Sequence, residues 1–193
     1  MTQTGPGTYL DRPSGSAKMA AMRRLAVAAL IAAGLAAPAR ADLLKPGDAF
    51  PAWSLSDQAG KVVKSSDLAG KTYLLWFYPK AMTMGCTAEG RQLRDRFAEF
   101  QKRGVEVLGV SFDAPDKNAE FVRAEEFPFR LLSDQDHALA VAVGAARSAD
   151  QSTATRISYL VGPDGKVRRA YGDVSPASHA GQVLDDVDAD AKR

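Results

Sequence analysis

Lys71 to Gly104 reads KTYLLWFYPKAMTMGCTAEGRQLRDRFAEFQKRG. It begins with an unbroken apolar run, Tyr73-Leu74-Leu75-Trp76-Phe77-Tyr78, the composition of a strand buried on both faces. Pro79 ends the run, and a short turn leads to Cys86, the only cysteine in 193 residues. Leu93, Phe97 and Phe100 then follow at spacings of four and three, with Arg91, Arg94, Asp95 and Glu99 largely between them. That is the pattern of an amphipathic helix. Lys102 and Arg103 suit the negative end of its dipole, and Gly104 supplies a stop. Cys86 is therefore expected in the first helical turn, where a strand hands over to a helix. Unpaired backbone N–H groups and the helix dipole stabilise an anion there, and a thiolate is such an anion. The position matters because an ordinary thiol, with a pKa of about 8.5, is only about 3% ionised at pH 7. The competing reading is a small buried apolar residue, the usual role of a free cysteine.

The surrounding chain extends this unit into a sheet. Val105 to Phe112 is a second apolar run, so strand, helix and strand fall within about forty residues. Such a βαβ unit makes the two strands parallel. Ligands bind open α/β sheets at the carboxyl ends of such strands, where Cys86 falls. Upstream, Ala49 to Leu55 and Lys61 to Val63 flank Asp57-Gln58-Ala59-Gly60, a β-hairpin pattern; Ser65 to Leu68 reads as a helical turn. Downstream, Asp113 is placed to cap a helix with Pro115 in its first turn, ending by Phe127 because Pro128 follows. Phe129 to Leu132 reads as a strand, His137 to Val143 as a short helix stopped by Gly144, and 145–155 as a loop. Ile157 to Val161 and Lys166 to Tyr171 flank Gly162-Pro163-Asp164-Gly165, a strong hairpin signal. Val183, Leu184 and Val187 give one face of a last helix.

Pro79, Thr83 and Cys86 stand in Pro-x-x-x-Thr-x-x-Cys, directly after the core-like strand. This spacing resembles the peroxidatic motif of the peroxiredoxins. Tyr78 to Gly90, YPKAMTMGCTAEG, resembles the Q type, also called bacterioferritin comigratory protein, and the resemblance runs over roughly Leu44 to Val187. It implies an α/β, thioredoxin-like fold: βαβ then ββα around a mixed sheet, with an N-terminal β-hairpin extension. It also implies a thiol peroxidase that reduces hydrogen peroxide and organic hydroperoxides through a Cys86 sulfenic acid. Thr83, one turn before Cys86, can orient the peroxide; a helix N-cap is its other reading. By resemblance, Pro79 shields the sulfur. Arg156, which opens Arg-Ile-Ser-Tyr-Leu-Val, matches in context an arginine that favours the thiolate and bonds the peroxide; a solvated strand-end arginine is the alternative. The chain departs from the family pattern at Ala81, where aspartate is common, and at Met84, where proline is common. Arg91 stands where many Q-type members carry a resolving cysteine. The chain thus resembles the one-cysteine variants, which need an external thiol such as a thioredoxin-like protein or glutathione. A monomer or weak homodimer is expected.

Residues 1–18 are polar with no apolar period. Met22-Arg23-Arg24, the apolar run Leu25 to Ala37 and Ala39-Arg40-Ala41 then give the basic, apolar and cleavage regions of a secretory signal peptide. The expectation is an exported, periplasmic domain, residues 42–193, that starts at Asp42 after removal of residues 1–41. A retained membrane anchor is the alternative, and Met19 or Met22 is the expected start. The leader holds five of 25 basic residues and one of 23 acidic ones, so residues 42–193 carry 20 against 22, a net charge of −2. That balance gives no basic surface for nucleic acid. His137 and His179 are in no ligand spacing and read as surface or helix-end residues, so neither metal nor cofactor is expected. Trp53 and Trp76 read as core. Glu89, three residues after Cys86, reads as a carboxylate that suits the helix dipole, and Arg91 as a partner for Glu89 or its neighbours. Two rivals to the peroxidase remain: an exported thiol-disulfide oxidoreductase, which lacks its second thiol here, and a non-enzymatic redox sensor.

Overall fold

The computed structural model describes residues 1, 2, 5, 42–172 and 174–192. The apolar run and cleavage site of the expected signal peptide lie outside the described residues. In chain order the elements are β1 (Ser54–Asp57), β2 (Val62–Lys64), a 3₁₀ turn (Ser65–Leu68), β3 (Thr72–Phe77), α1 (Met84–Asp95), α2 (Phe97–Lys102), β4 (Val105–Ser111), α3 (Pro115–Glu125), β5 (Arg130–Ser133), α4 (Ala138–Ala142), β6 (Ile157–Val161), β7 (Val167–Tyr171) and α5 (His179–Asp190).

The apolar run at Tyr73 is the centre of a seven-stranded sheet ordered β2-β1-β5-β4-β3-β6-β7. β3 runs parallel to β4, with Leu74 opposite Val107, and antiparallel to β6, with Leu75 opposite Tyr159. β4 and β5 are parallel, while β1 joins β5 antiparallel and carries the N-terminal hairpin onto that edge. This is the thioredoxin-like plan: a βαβ unit, then a ββα unit, with a hairpin extension.

The run is apolar throughout because both faces of the sheet are covered. Tyr73, Leu75 and Phe77 enter one core with Trp53, Leu55, Leu108, Val143 and Tyr159. Leu74, Trp76 and Tyr78 alternate into the other, with Cys86, Leu93, Phe100, Phe121 and Val183. Trp53 and Trp76 are both core residues.

Two local expectations change. The helix after Cys86 is not continuous: it breaks at Arg96 (φ −105°, ψ 9°) and restarts as α2. Leu93 before the break and Phe100 after it are both fully buried, and Phe97 lies 6.0 Å from Phe129 between ring centres. Asp113 does not cap α3, whose N-cap is Ala114 with Pro115 following. Proline at the first helical position has no N–H to satisfy, so the helix needs one cap bond fewer.

Candidate active site

Thr83 occupies the N-cap of α1 in an extended conformation (φ −83°, ψ 149°), yet its side chain makes no cap bond. Its hydroxyl donates instead to the Lys80 carbonyl at 2.9 Å. That leaves the oxygen lone pairs free to accept. The first intrahelical bond runs from the Thr87 N–H to the Thr83 carbonyl, 2.8 Å. The N–H groups of Met84, Gly85 and Cys86 therefore have no partner within the helix. Cys86 is the third residue of α1 and is fully buried, against Trp76, Tyr78 and Ala81.

Arg156, the residue just before β6, comes to this sulfur across seventy residues. Its Nη2 lies 3.5 Å from Cys86 Sγ, and its Nη1 pairs with Glu89. Gly85 leaves room for the approach: a Cβ there would stand 3.2 Å from Nη2, a tight contact. Glu89 is fully buried. Burial pushes its carboxyl above the ordinary range, and the Arg156 charge pulls it part of the way back. Burial also works against the Arg156 charge, but Glu89 and Cys86 outweigh it and hold the guanidinium firmly cationic. The Trp76 indole also bears on Glu89, although neither Trp76 Nε1 nor Glu89 Oε1 completes a hydrogen bond of normal geometry.

A cation shared between a carboxylate and a thiol, at a helix end rich in free N–H donors, can stabilise a thiolate and negative charge on an oxygen bound to it. Pro79 is half-buried, two residues past the end of β3. Arg91 does not reach Glu89; it forms a two-pronged ion pair with Glu125 of α3, Nε to Oε2 at 2.6 Å and Nη2 to Oε1 at 3.2 Å.

Three residues near the site escaped the sequence reading. Glu89 holds Arg156 as well as suiting the dipole; its spacing of three from Cys86, on one helix face, was the available signal. Asp113 accepts the Ala81 N–H, on the turn that leads to Thr83. His179 stands at a helix start, as His137 nearly does, but it is fully buried, with Nε2 3.0 Å from the Ser158 hydroxyl. Burial, helped by Arg156, pushes its pKa down to about 4, so the imidazole is neutral near pH 7.

The chain was compared with known proteins. Residues 46–170 match the model of the AhpC/TSA family. Peroxiredoxin Bcp of Escherichia coli K12 is 41% identical over 146 residues, 73% of this chain and 94% of that protein. The peroxidoxin BcpB of Mycobacterium tuberculosis has a similar structure, with TM-score 0.71 and 31% identity over 76% of this chain and 97% of that one. A bacterioferritin comigratory protein of Xanthomonas campestris, studied for its alkyl peroxide reduction activity, superposes with TM-score 0.69 and 33% identity over 78% of this chain and 99% of that one. The match covers the strand, the cysteine turn and the late arginine strand together, and on it the chain belongs to the AhpC/TSA family as a Q-type peroxiredoxin.

Proposed function

We propose that the chain reduces hydrogen peroxide and organic hydroperoxides with Cys86 as the nucleophile, and that a thiol from another molecule completes the cycle. The observation that carries this reading is the Arg156 guanidinium 3.5 Å from a buried sulfur in the first turn of α1. The Cys86 thiolate attacks the terminal peroxide oxygen. A sulfur–oxygen bond forms, the O–O bond breaks, and the departing oxygen leaves as water or an alcohol after taking a proton. Thr83 accepts a hydrogen bond from the peroxide and orients it, a role supported by the direction of its own hydroxyl proton, toward Lys80. Arg156 and the free N–H groups of the first turn carry the negative charge on the oxygens. Pro79 keeps water from the sulfur.

The resulting sulfenic acid has no second cysteine to meet within the chain. An external thiol, from a thioredoxin-like protein, glutathione or another source, condenses with it and expels water; a second thiol then releases Cys86. The enzyme works as a monomer or weak homodimer, exported to the periplasm after cleavage before Asp42.

Stopped-flow peroxide consumption tests this reading. Cys86→Ser abolishes the reaction. Thr83→Val lowers the second-order rate about 10²-fold with the fold intact, because a positioning contact is lost. A Cys86→Ser variant that keeps its rate rules the mechanism out.

A further inference from the structure

In the turn between β3 and α1, the Ala81 backbone is held by a side chain from outside the turn. The Ala81 N–H donates to Asp113 Oδ2 at 2.8 Å, across 32 residues of sequence. The same oxygen receives the Ser111 hydroxyl at 2.9 Å, and the Asp113 N–H returns to Ser111 Oγ at 3.2 Å. Ser111 is fully buried at the end of β4. Beside it Asn118 of α3 takes the Tyr78 hydroxyl at 2.6 Å and donates to Ser133 Oγ at 3.1 Å. The carboxylate is thus set by β4, next to a buried polar network that includes Tyr78, the residue before Pro79.

The next residue in the turn, Met82, adopts φ +63°, and it is 55% exposed. The left-handed region strains any residue with a Cβ, and an exposed side chain gains no burial in return. Strain of this kind persists only where neighbouring bonds over-determine the backbone. On either side of Met82 those bonds are Ala81 N–H to Asp113 and Thr83 hydroxyl to Lys80.

We infer that Asp113 is a positioning residue for peroxide reduction: by accepting the Ala81 N–H it holds the Lys80–Thr83 turn in the strained form that presents the Thr83 hydroxyl at the head of the Cys86 helix. The inference rests on the peroxidase reading above. Asp113 touches neither the sulfur nor the peroxide; it acts through the backbone of Ala81. Asparagine can still offer an oxygen to both donors, whereas alanine offers none.

The test compares wild type, Asp113→Ala and Asp113→Asn by three measurements: the second-order rate with hydrogen peroxide, Cys86 alkylation by iodoacetamide, and hydrogen exchange of the Ala81 amide. Asp113→Ala is expected to slow the peroxide reaction roughly tenfold or more. Alkylation, which needs no oriented peroxide, stays near wild type, and Ala81 exchange speeds up. Asp113→Asn restores the peroxide rate to within about threefold and keeps the amide protected. If Asp113→Ala does not fold, Ser111→Ala, which frees one side of the carboxylate, gives the same pattern in weaker form. A wild-type peroxide rate in Asp113→Ala, a loss that asparagine does not recover, or an equal fall in alkylation overturns the proposal. Wild type that protects Ala81 yet consumes no peroxide overturns the peroxidase reading itself, and this proposal with it.

Discussion

At the scale of single residues, the site is an argument about one cation. Arg156 lies between a thiol and a fully buried carboxylate, and removing it affects both. Arg156→Met leaves Glu89 buried and unpaired, which is expected to destabilise the fold by about 3–5 kcal/mol. It also removes the charge beside Cys86, so peroxide turnover falls. Adding Glu89→Gln removes the buried charge, and urea denaturation should show most of the stability restored. The rate should stay low, because the sulfur still lacks its guanidinium; a double variant that regained turnover would separate Arg156 from the chemistry. Cys86 and Thr83 were legible because their relation is local, three residues apart at a strand-to-helix junction. Arg156 was legible only through the family pattern, since no local rule connects it to a cysteine seventy residues earlier. Asp113 was misread for a physical reason. An aspartate shortly before a proline satisfies the local rule for a helix start, and only the tertiary fold brings Ala81 to it.

At the scale of elements, α1 carries Cys86 and is fastened at its far end. Arg91 grips the Glu125 carboxylate, and Arg94 Nη1 reaches the Glu125 carbonyl at 2.8 Å. Gly90 packs so closely that a Cβ there would meet the Phe127 ring at 2.4 Å. Cys86 is fully buried, so in the proposed cycle the site has to open before a thiol on another molecule can reach it. The Arg91–Glu125 ion pair is a clasp between α1 and α3 that is expected to work against such opening. Arg91→Ala should speed reduction of oxidised Cys86 by a bulky protein thiol several-fold more than by a small thiol. Stopped-flow re-reduction with each thiol measures this, and equal effects on both would remove the clasp from the account. The strands and hairpins were legible as apolar runs between turn signals. The break at Arg96 was not, because the apolar period of Leu93, Phe97 and Phe100 continues across it.

At the scale of the whole molecule, the packing around the sheet buries a titratable side chain, His179, and this makes stability depend on pH. His179 has a folded pKa of about 4, lowered by burial and then by Arg156. Its unfolded value is near 6.5. The neutral imidazole therefore contributes its full stability above about pH 6.5. That stability is lost as pH falls toward 4, where the unfolded chain takes up a proton that the folded one resists. The loss is on the order of 3 kcal/mol, and His179→Gln should flatten this part of the stability profile relative to wild type. Parallel profiles for the two proteins between pH 4 and 6.5 would contradict the buried neutral histidine. In the proposed cycle a single buried cysteine takes an oxygen from peroxide and waits for a thiol from outside. The most direct test is to treat residues 42–193 with one equivalent of hydrogen peroxide, then measure intact mass and run non-reducing electrophoresis. The expected product is a monomer that has gained one oxygen, reacts with a sulfenic-acid trap at Cys86 and returns to its starting mass with added thiol. A covalent Cys86–Cys86 dimer as the main product at low protein concentration, or peroxide consumed with Cys86 unmodified, would contradict it.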